Sequence, residues 1–183
     1  QGPWTHLSAG DLLRAARNAS PASGDDNGVS RQLSETIQAC MGAGQLVPSH
    51  VTCQLLEQGM LQAFRRNRKC TRFLIDGFPR SVDNLQAWNN SPTASKHKVE
   101  FCLNLECPQE VLLGRLLERG KQAAASGVAR ADDTPAIIQK RFESHVKDTA
   151  PIVEDYRRQG KLKTVLSDKP VQQVLNDVVA CFE

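Results

Sequence analysis

The residues with the densest chemical content are Asp76-Gly77-Phe78-Pro79-Arg80. They end Arg72-Phe73-Leu74-Ile75, a run that reads as a buried strand. In an open parallel α/β sheet, ligands bind beyond the carboxyl ends of the strands. A carboxylate there reaches a metal ion through water. Gly77 lets the backbone come close to a ligand, Pro79 fixes the turn, and Arg80 presents a planar fork suited to phosphate. The same five residues also read as a plain strand-to-helix turn with a surface arginine, and alone they do not choose. A second set is Arg14, Arg80, Arg119, Arg130 and Arg141, all at the edges of predicted helices, strands or loops. Asp132 and Asp133 stand between Arg130 and Arg141. Several guanidiniums converging on one cleft neutralise a polyphosphate and stabilise charge on a phosphoryl group in flight. Any one of these arginines reads equally well as a solvated surface residue.

Helices and short apolar runs alternate along the chain, and they must position these groups. Ser8-Ala9-Gly10-Asp11 has the form of a capping box before Leu12-Leu13. Leu33, Ile37, Cys40 and Met41 recur at helical spacing, with Gly42 and Gly44 as stops. Pro48 opens the next helix, with Val51, Leu55, Leu56 and Met60 on its apolar side. Residues 99–105 and 162–166 read as two further strands. Helices are expected from Pro108 through Arg119, from Pro135 onward, and over 171–182. Asn18–Gly28, Asn89–Lys98 and Gly120–Asp133 are small and polar and read as connections or lids. Strands separated by helices predict an α/β fold, a parallel sheet with helices on both faces.

Composition narrows the function. The 183 residues are 40% hydrophobic and 23% charged, an ordinary balance for one globular domain. The net charge of +3 gives no argument for nucleic acid. No apolar run approaches the ~18 residues of a membrane-spanning helix. The six cysteines form no Cys-x-x-Cys and no zinc spacing, and they read as reduced thiols of a cytoplasmic protein. The four histidines are scattered and read as structural or solvated.

Taken in order, these motifs resemble the adenylate-kinase-like nucleoside monophosphate kinases. The resemblance lies in Thr5-His6-Leu7-Ser8-Ala9-Gly10-Asp11-Leu12-Leu13-Arg14, Gly44-Gln45-Leu46-Val47-Pro48 and Phe73 to Arg80. It continues in Leu117-Glu118-Arg119-Gly120-Lys121, Arg130-Ala131-Asp132-Asp133 and Lys140-Arg141, and runs from Thr5 to Phe182. Within that family the pattern is most similar to the UMP-CMP kinases, because Ala9 and Asn84 replace the Thr and Gln usual in members that take AMP. Adenylate kinase acting on AMP is the alternative.

The resemblance implies a single P-loop NTPase-like domain over 1–183, with a monophosphate-binding insertion at 8–70 and a short lid at 120–133. It implies reversible transfer of the ATP γ-phosphoryl group to UMP or CMP. Arg14, Arg80, Arg130 and Arg141 would hold the monophosphate and the moving phosphoryl group. Ala9, Gln45, Leu46, Val47, Gly77, Phe78 and Pro79 would line the monophosphate pocket. Asn84 would read the base, where a carboxamide offers a donor and an acceptor to one base edge. Arg119 and Lys169 would touch ATP. Asp76 would act through the hydration shell of Mg²⁺, with no direct protein ligand to the metal. Asp132 and Asp133 would orient lid arginines. The implied protein is a monomer of the cytoplasm, with the nucleus as a second compartment, and has no nucleic-acid or membrane partner.

One departure stands out. The family opens with a strand and a loop of the type G-x-x-x-x-G-K-S/T, and this sequence has no such run. The start at Gln1 has neither an initiator Met nor a signal-peptide pattern, so the chain reads as beginning inside a longer enzyme. A strand-loop-helix unit of about 25–30 residues would then precede it. A natural inactive short form, acting as a nucleotide-binding or interaction protein, and a strand supplied by another chain are the alternatives. Without that central strand, two buried strands should face a gap, leaving backbone groups unpaired and apolar surface exposed.

Overall fold

The computed structural model describes residues 4–18, 31–43, 45–125 and 135–183. The chain divides into two compact units, Gln1–His97 and Lys98–Glu183, and each contains one pair of parallel strands.

In the first unit, β1 (Trp4–Ser8) passes directly into α1 (Ala9–Asn18). The Ser8 hydroxyl accepts from the Asp11 backbone N–H at 3.3 Å, which satisfies one of the unpaired donors of the first helical turn. Then come α2 (Arg31–Gly42), α3 (Ser49–Arg66), β2 (Arg72–Asp76), α4 (Val82–Asn89) and the short α5 (Pro92–Lys96). Trp4 pairs with Arg72 and the ladder runs to Ser8 opposite Asp76. Parallel strands cannot be joined by a hairpin, and the segment holding α1 to α3 makes the crossover.

Helix α3 is the hub. Cys53, Leu56 and Met60 pack with Leu7 of β1 and Trp88 of α4, while Val51 and Leu55 pack with Ala16, Ile37 and Val47. Gly59 matters at this contact, because a Cβ there would stand 3.3 Å from the Leu7 side chain.

The second unit runs β3 (Cys102–Glu106), α6 (Gln109–Ala125), α7 (Pro135–Ser144), a π-helical turn (His145–Thr149), α8 (Ala150–Arg158), β4 (Leu162–Leu166) and α9 (Val171–Ala180). Cys102 pairs with Leu162 and Glu106 with Leu166. Ile138, Ile152, Tyr156 and Val165 are buried, and α8 lies against both strands. Among the described residues each strand pairs along one edge only, and Leu74, Leu105 and Leu166 are exposed.

The structure corrects several readings of local segments. Residues 4–8 form a strand that periodicity does not announce, since Leu7 is its only buried apolar side chain and pairing with β2 makes it a strand. The strand expected at 99–105 begins at Cys102. The polar stretch 89–98 holds α5, capped by Ser91, whose hydroxyl accepts from the Ala94 N–H at 3.2 Å. Helix α6 continues through 120–125, the first part of the expected lid. Lys, Gln and Ala are strong helix formers even where nothing is buried, and Gln122 bonds Glu118 one turn back. Among the described residues the strands form two parallel pairs, which agrees with the expected parallel α/β fold.

All six cysteines are free. Burial, with the Glu57 charge next in effect, pushes the Cys53 thiol up to about 11. The folded chain therefore holds this proton more tightly than the unfolded chain, whose thiol ionises near about 8.5. Stability should be full below that pH and fall as pH rises toward 11. Burial raises Cys102 and Tyr156 in the same direction. Urea midpoints of the wild type and of Cys53→Ala, taken between pH 8 and 11, check this: the variant should lose stability less steeply over that range.

Candidate active site

The ladder between β1 and β2 puts two chain reversals side by side. Ser8 lies opposite Asp76, so the start of α1 and the turn that follows β2 leave the same carboxyl edge. On the α1 side Ala9 is buried, and a Cβ on Gly10 would meet the Arg14 guanidinium at 3.4 Å. The bare glycine lets that guanidinium lie back over the first helical turn. Arg14 Nη2 donates to Asp11 Oδ1 at 2.5 Å, and the arginine side chain is still 32% exposed. A surface pair of this kind holds a side chain in place at little free energy, about 0–1 kcal/mol. It leaves the remaining N–H donors of the fork to face an anion.

On the β2 side, Asp76 ends the strand with its side chain exposed. Gly77 has φ +73°, in the left-handed region that favours glycine, and an added Cβ would meet nothing within 4 Å. Its requirement is therefore conformational and not one of space. The Phe78–Pro79 bond is cis, and the Phe78 ring packs edge-on against buried Trp88 at 5.9 Å between centroids. Arg80, half-buried, donates its backbone N–H to Asn84 Oδ1 at 3.1 Å. Ser81 caps α4 by accepting from the Asn84 N–H at 3.1 Å.

Asn84 is 5% exposed, and its Nδ2 donates to Ser49 Oγ at 2.7 Å. That bond ties the turn after β2 to the first residue of α3. Just before α3 come Gln45, exposed and bonded through its N–H to the Cys40 carbonyl at 2.9 Å, then half-buried Leu46, and Val47 in the core. The structure thus brings the 45–49 segment to the Gly77–Asn84 turn through one hydrogen bond. Through the strand register it sets the start of α1, at Ala9, beside the turn that begins at Gly77.

Arg119 and Lys169 lie in the second unit. Arg119 is an exposed residue of α6. Lys169 Nζ pairs with Asp177 Oδ2 at 3.0 Å. Arg141 lies on α7, while Arg130, Asp132 and Asp133 lie outside the described residues. Sequence reasoning missed Ser49 and Arg115. Ser49 carried a weak signal, a polar residue directly after Pro48 at a helix start. Arg115 donates to the Ser167 carbonyl at 2.6 Å and so holds the loop after β4, a long-range contact with no local signature.

Among the described residues, no three metal-ligating side chains come together and no helix is long and apolar enough to cross a membrane.

The model of the adenylate kinase family matches residues 2–161 of this chain. The UMP-CMP kinase of Gallus gallus is 39% identical over 180 residues, which cover 98% of this chain and 84% of that protein. The UMP-CMP kinase of Homo sapiens is 38% identical over the same lengths. UMP-CMP kinase 2 of Caenorhabditis elegans is 37% identical over 180 residues, 98% of this chain and 83% of that protein.

Proposed function

The chain belongs to the adenylate kinase family, and from that premise we propose that it transfers the γ-phosphoryl group of ATP reversibly to UMP or CMP, giving UDP or CDP. The observation that carries the reading is the shared edge where Ser8 faces Asp76, from which Arg14 and the Gly77–Arg80 turn both leave. The names of the relatives point to the same acceptors.

In this reading the acceptor phosphate lies against the start of α1 between Arg14 and Arg80. The helix N-terminus contributes partial positive charge and the two forks contribute full charges. Ala9, Gln45, Leu46, Val47, Gly77, Phe78 and Pro79 line the acceptor pocket, and Asn84 meets the base. Arg130 and Arg141 bear on the moving phosphoryl group, Asp132 and Asp133 orient lid arginines, and Arg119 and Lys169 touch ATP. Closure of the lid at 120–133 would exclude water, which otherwise competes as acceptor.

When bound, Mg²⁺ would supply charge neutralisation to the donor phosphates. A lone exposed carboxylate at a strand end suits contact through water, because Mg²⁺ keeps several of its own waters. Asp76 is that group. The domain boundaries, a monomeric state and a cytoplasmic location complete the reading, and the free cysteines fit a reducing compartment.

The test is an acceptor panel. The full-length natural protein, given Mg-ATP with UMP, CMP or AMP, should use a pyrimidine monophosphate about tenfold or more better than AMP. Preference for AMP would overturn the pyrimidine assignment.

A further inference from the structure

The densest cluster of one-signed charge lies at the end of the first unit away from the acceptor edge. Between Glu57 and Asp76 the sequence has no acid, and five cations stand within eight residues: Arg65, Arg66, Arg68, Lys69 and Arg72. The net charge of +3 conceals them, because acids elsewhere in the chain offset them. The fold makes the cluster a surface. Helix α3 starts at Ser49, hydrogen-bonded to Asn84 past the carboxyl end of β2, and ends at Arg66. A turn closed by the Cys70 N–H on the Asn67 carbonyl, at 2.9 Å, then enters β2 at its amino end. Cys70 is buried and anchors this turn, with its Sγ 2.8 Å from Thr5 Oγ1 of β1. The cations flanking it, Arg65, Arg66, Arg68 and Lys69, are all exposed. Among the described residues no carboxylate pairs with any of these four.

Apolar side chains share the surface. Leu61 and Phe64 are 56% and 38% exposed, and at a spacing of three, with Arg65 next, they lie on one face of α3. The Arg68 guanidinium lies over the Phe64 ring, 4.8 Å from its centroid, and Arg72 lies over the exposed Trp4 ring at 5.6 Å. We propose that this end of α3 is a peripheral docking surface for a bilayer rich in anionic phospholipid. Charge complementarity carries the proposal: a run of Lys and Arg at a helix end attracts anionic headgroups, and the apolar side chains beside it enter the acyl boundary. Single-stranded nucleic acid is the other polyanion to weigh. Its bases need open aromatic faces to stack on. Here a guanidinium covers one face of each ring, and Leu61 offers a base no such platform. A bilayer uses the cations, the rings and the leucine together. The surface lies on the membrane without spanning it, and it revises the expectation of a chain with no membrane partner. None of its residues belongs to the proposed acceptor site, so docking leaves the acceptor edge uncovered.

The test is sedimentation of the full-length natural protein with vesicles of phosphatidylcholine alone and of phosphatidylcholine mixed with phosphatidylserine. The anionic vesicles should take up about tenfold more protein or better, and the excess should vanish in high salt, which screens the attraction. The triple variant Arg65→Gln, Arg66→Gln, Lys69→Gln should lower partitioning into the anionic vesicles about 100-fold, as expected for three cations at the surface. Its thermal midpoint and its turnover should match the wild type, since the three side chains are exposed and stand outside the catalytic groups. Phe64→Ala should lower partitioning about fivefold at low and high salt alike, because apolar insertion is not screened. Equal uptake by the two kinds of vesicle, or a triple variant that sediments like the wild type, overturns the proposal. Binding of mixed-sequence single-stranded RNA through the same three cations, without preference for the anionic vesicles, also overturns it and assigns the cluster to nucleic acid.

Discussion

Arg80→Ala is expected to lower turnover with UMP or CMP by about 100-fold or more, ~3 kcal/mol of lost transition-state stabilisation on the scale of removing one preorganised donor. In phosphoryl transfer the protein mainly positions groups and stabilises charge, so removing one guanidinium from the acceptor edge should act on kcat as well as KM. The variant should still fold. Arg80 is tied to Asn84 through its backbone N–H, and that bond survives truncation of the side chain. Unchanged urea and thermal midpoints beside a collapsed kcat would separate chemistry from folding. Arg80→Lys should recover little, because an ammonium replaces the planar fork by a point charge. Turnover of Arg80→Ala within a few-fold of wild type would show that the arginine edge has been misread.

The second large effect concerns the polypeptide of residues 1–183 prepared by itself. It should show less than about one-thousandth of the turnover of a kinase whose phosphate loop places the donor, because correct placement of reactants is worth that much or more. Its sequence holds no G-x-x-x-x-G-K-S/T. Of its two Gly-Lys pairs, Gly120-Lys121 lies inside α6, and Gly160, at φ +66°, follows the end of α8 before β4. Neither follows a strand and opens a helix, the context in which such a loop cradles phosphates. Arg14, Arg80 and Asn84, the groups proposed to hold the acceptor, all belong to the first unit. Calorimetry should therefore register weak UMP binding while Mg-ATP gives no tight isotherm. Tight Mg-ATP binding with normal turnover would refute this account of the donor phosphates.

The features the sequence determined alone are those whose cause is local. Ser8 caps α1 because its hydroxyl needs only the N–H three residues on. Helix α3 shows in the spacing of Val51, Leu55, Leu56 and Met60, and β2 and β4 show as short apolar runs. The motif order from Thr5 onward pointed to the family, and the family match over residues 2–161 agrees. What depended on distant residues was decided by the tertiary structure. Strand β1 exists because Trp4 to Ser8 pair with Arg72 to Asp76, across the whole of α1 to α3. The same pairing sets the start of α1 and the turn after β2 at one edge. Asn84 as a sequence letter offers a donor and an acceptor in either order. The Arg80 N–H leaves it one, and Ser49, thirty-five residues away, meets its amide nitrogen. Hydrogen-bond direction and burial belong to pairs of groups, and only the fold says which groups are paired.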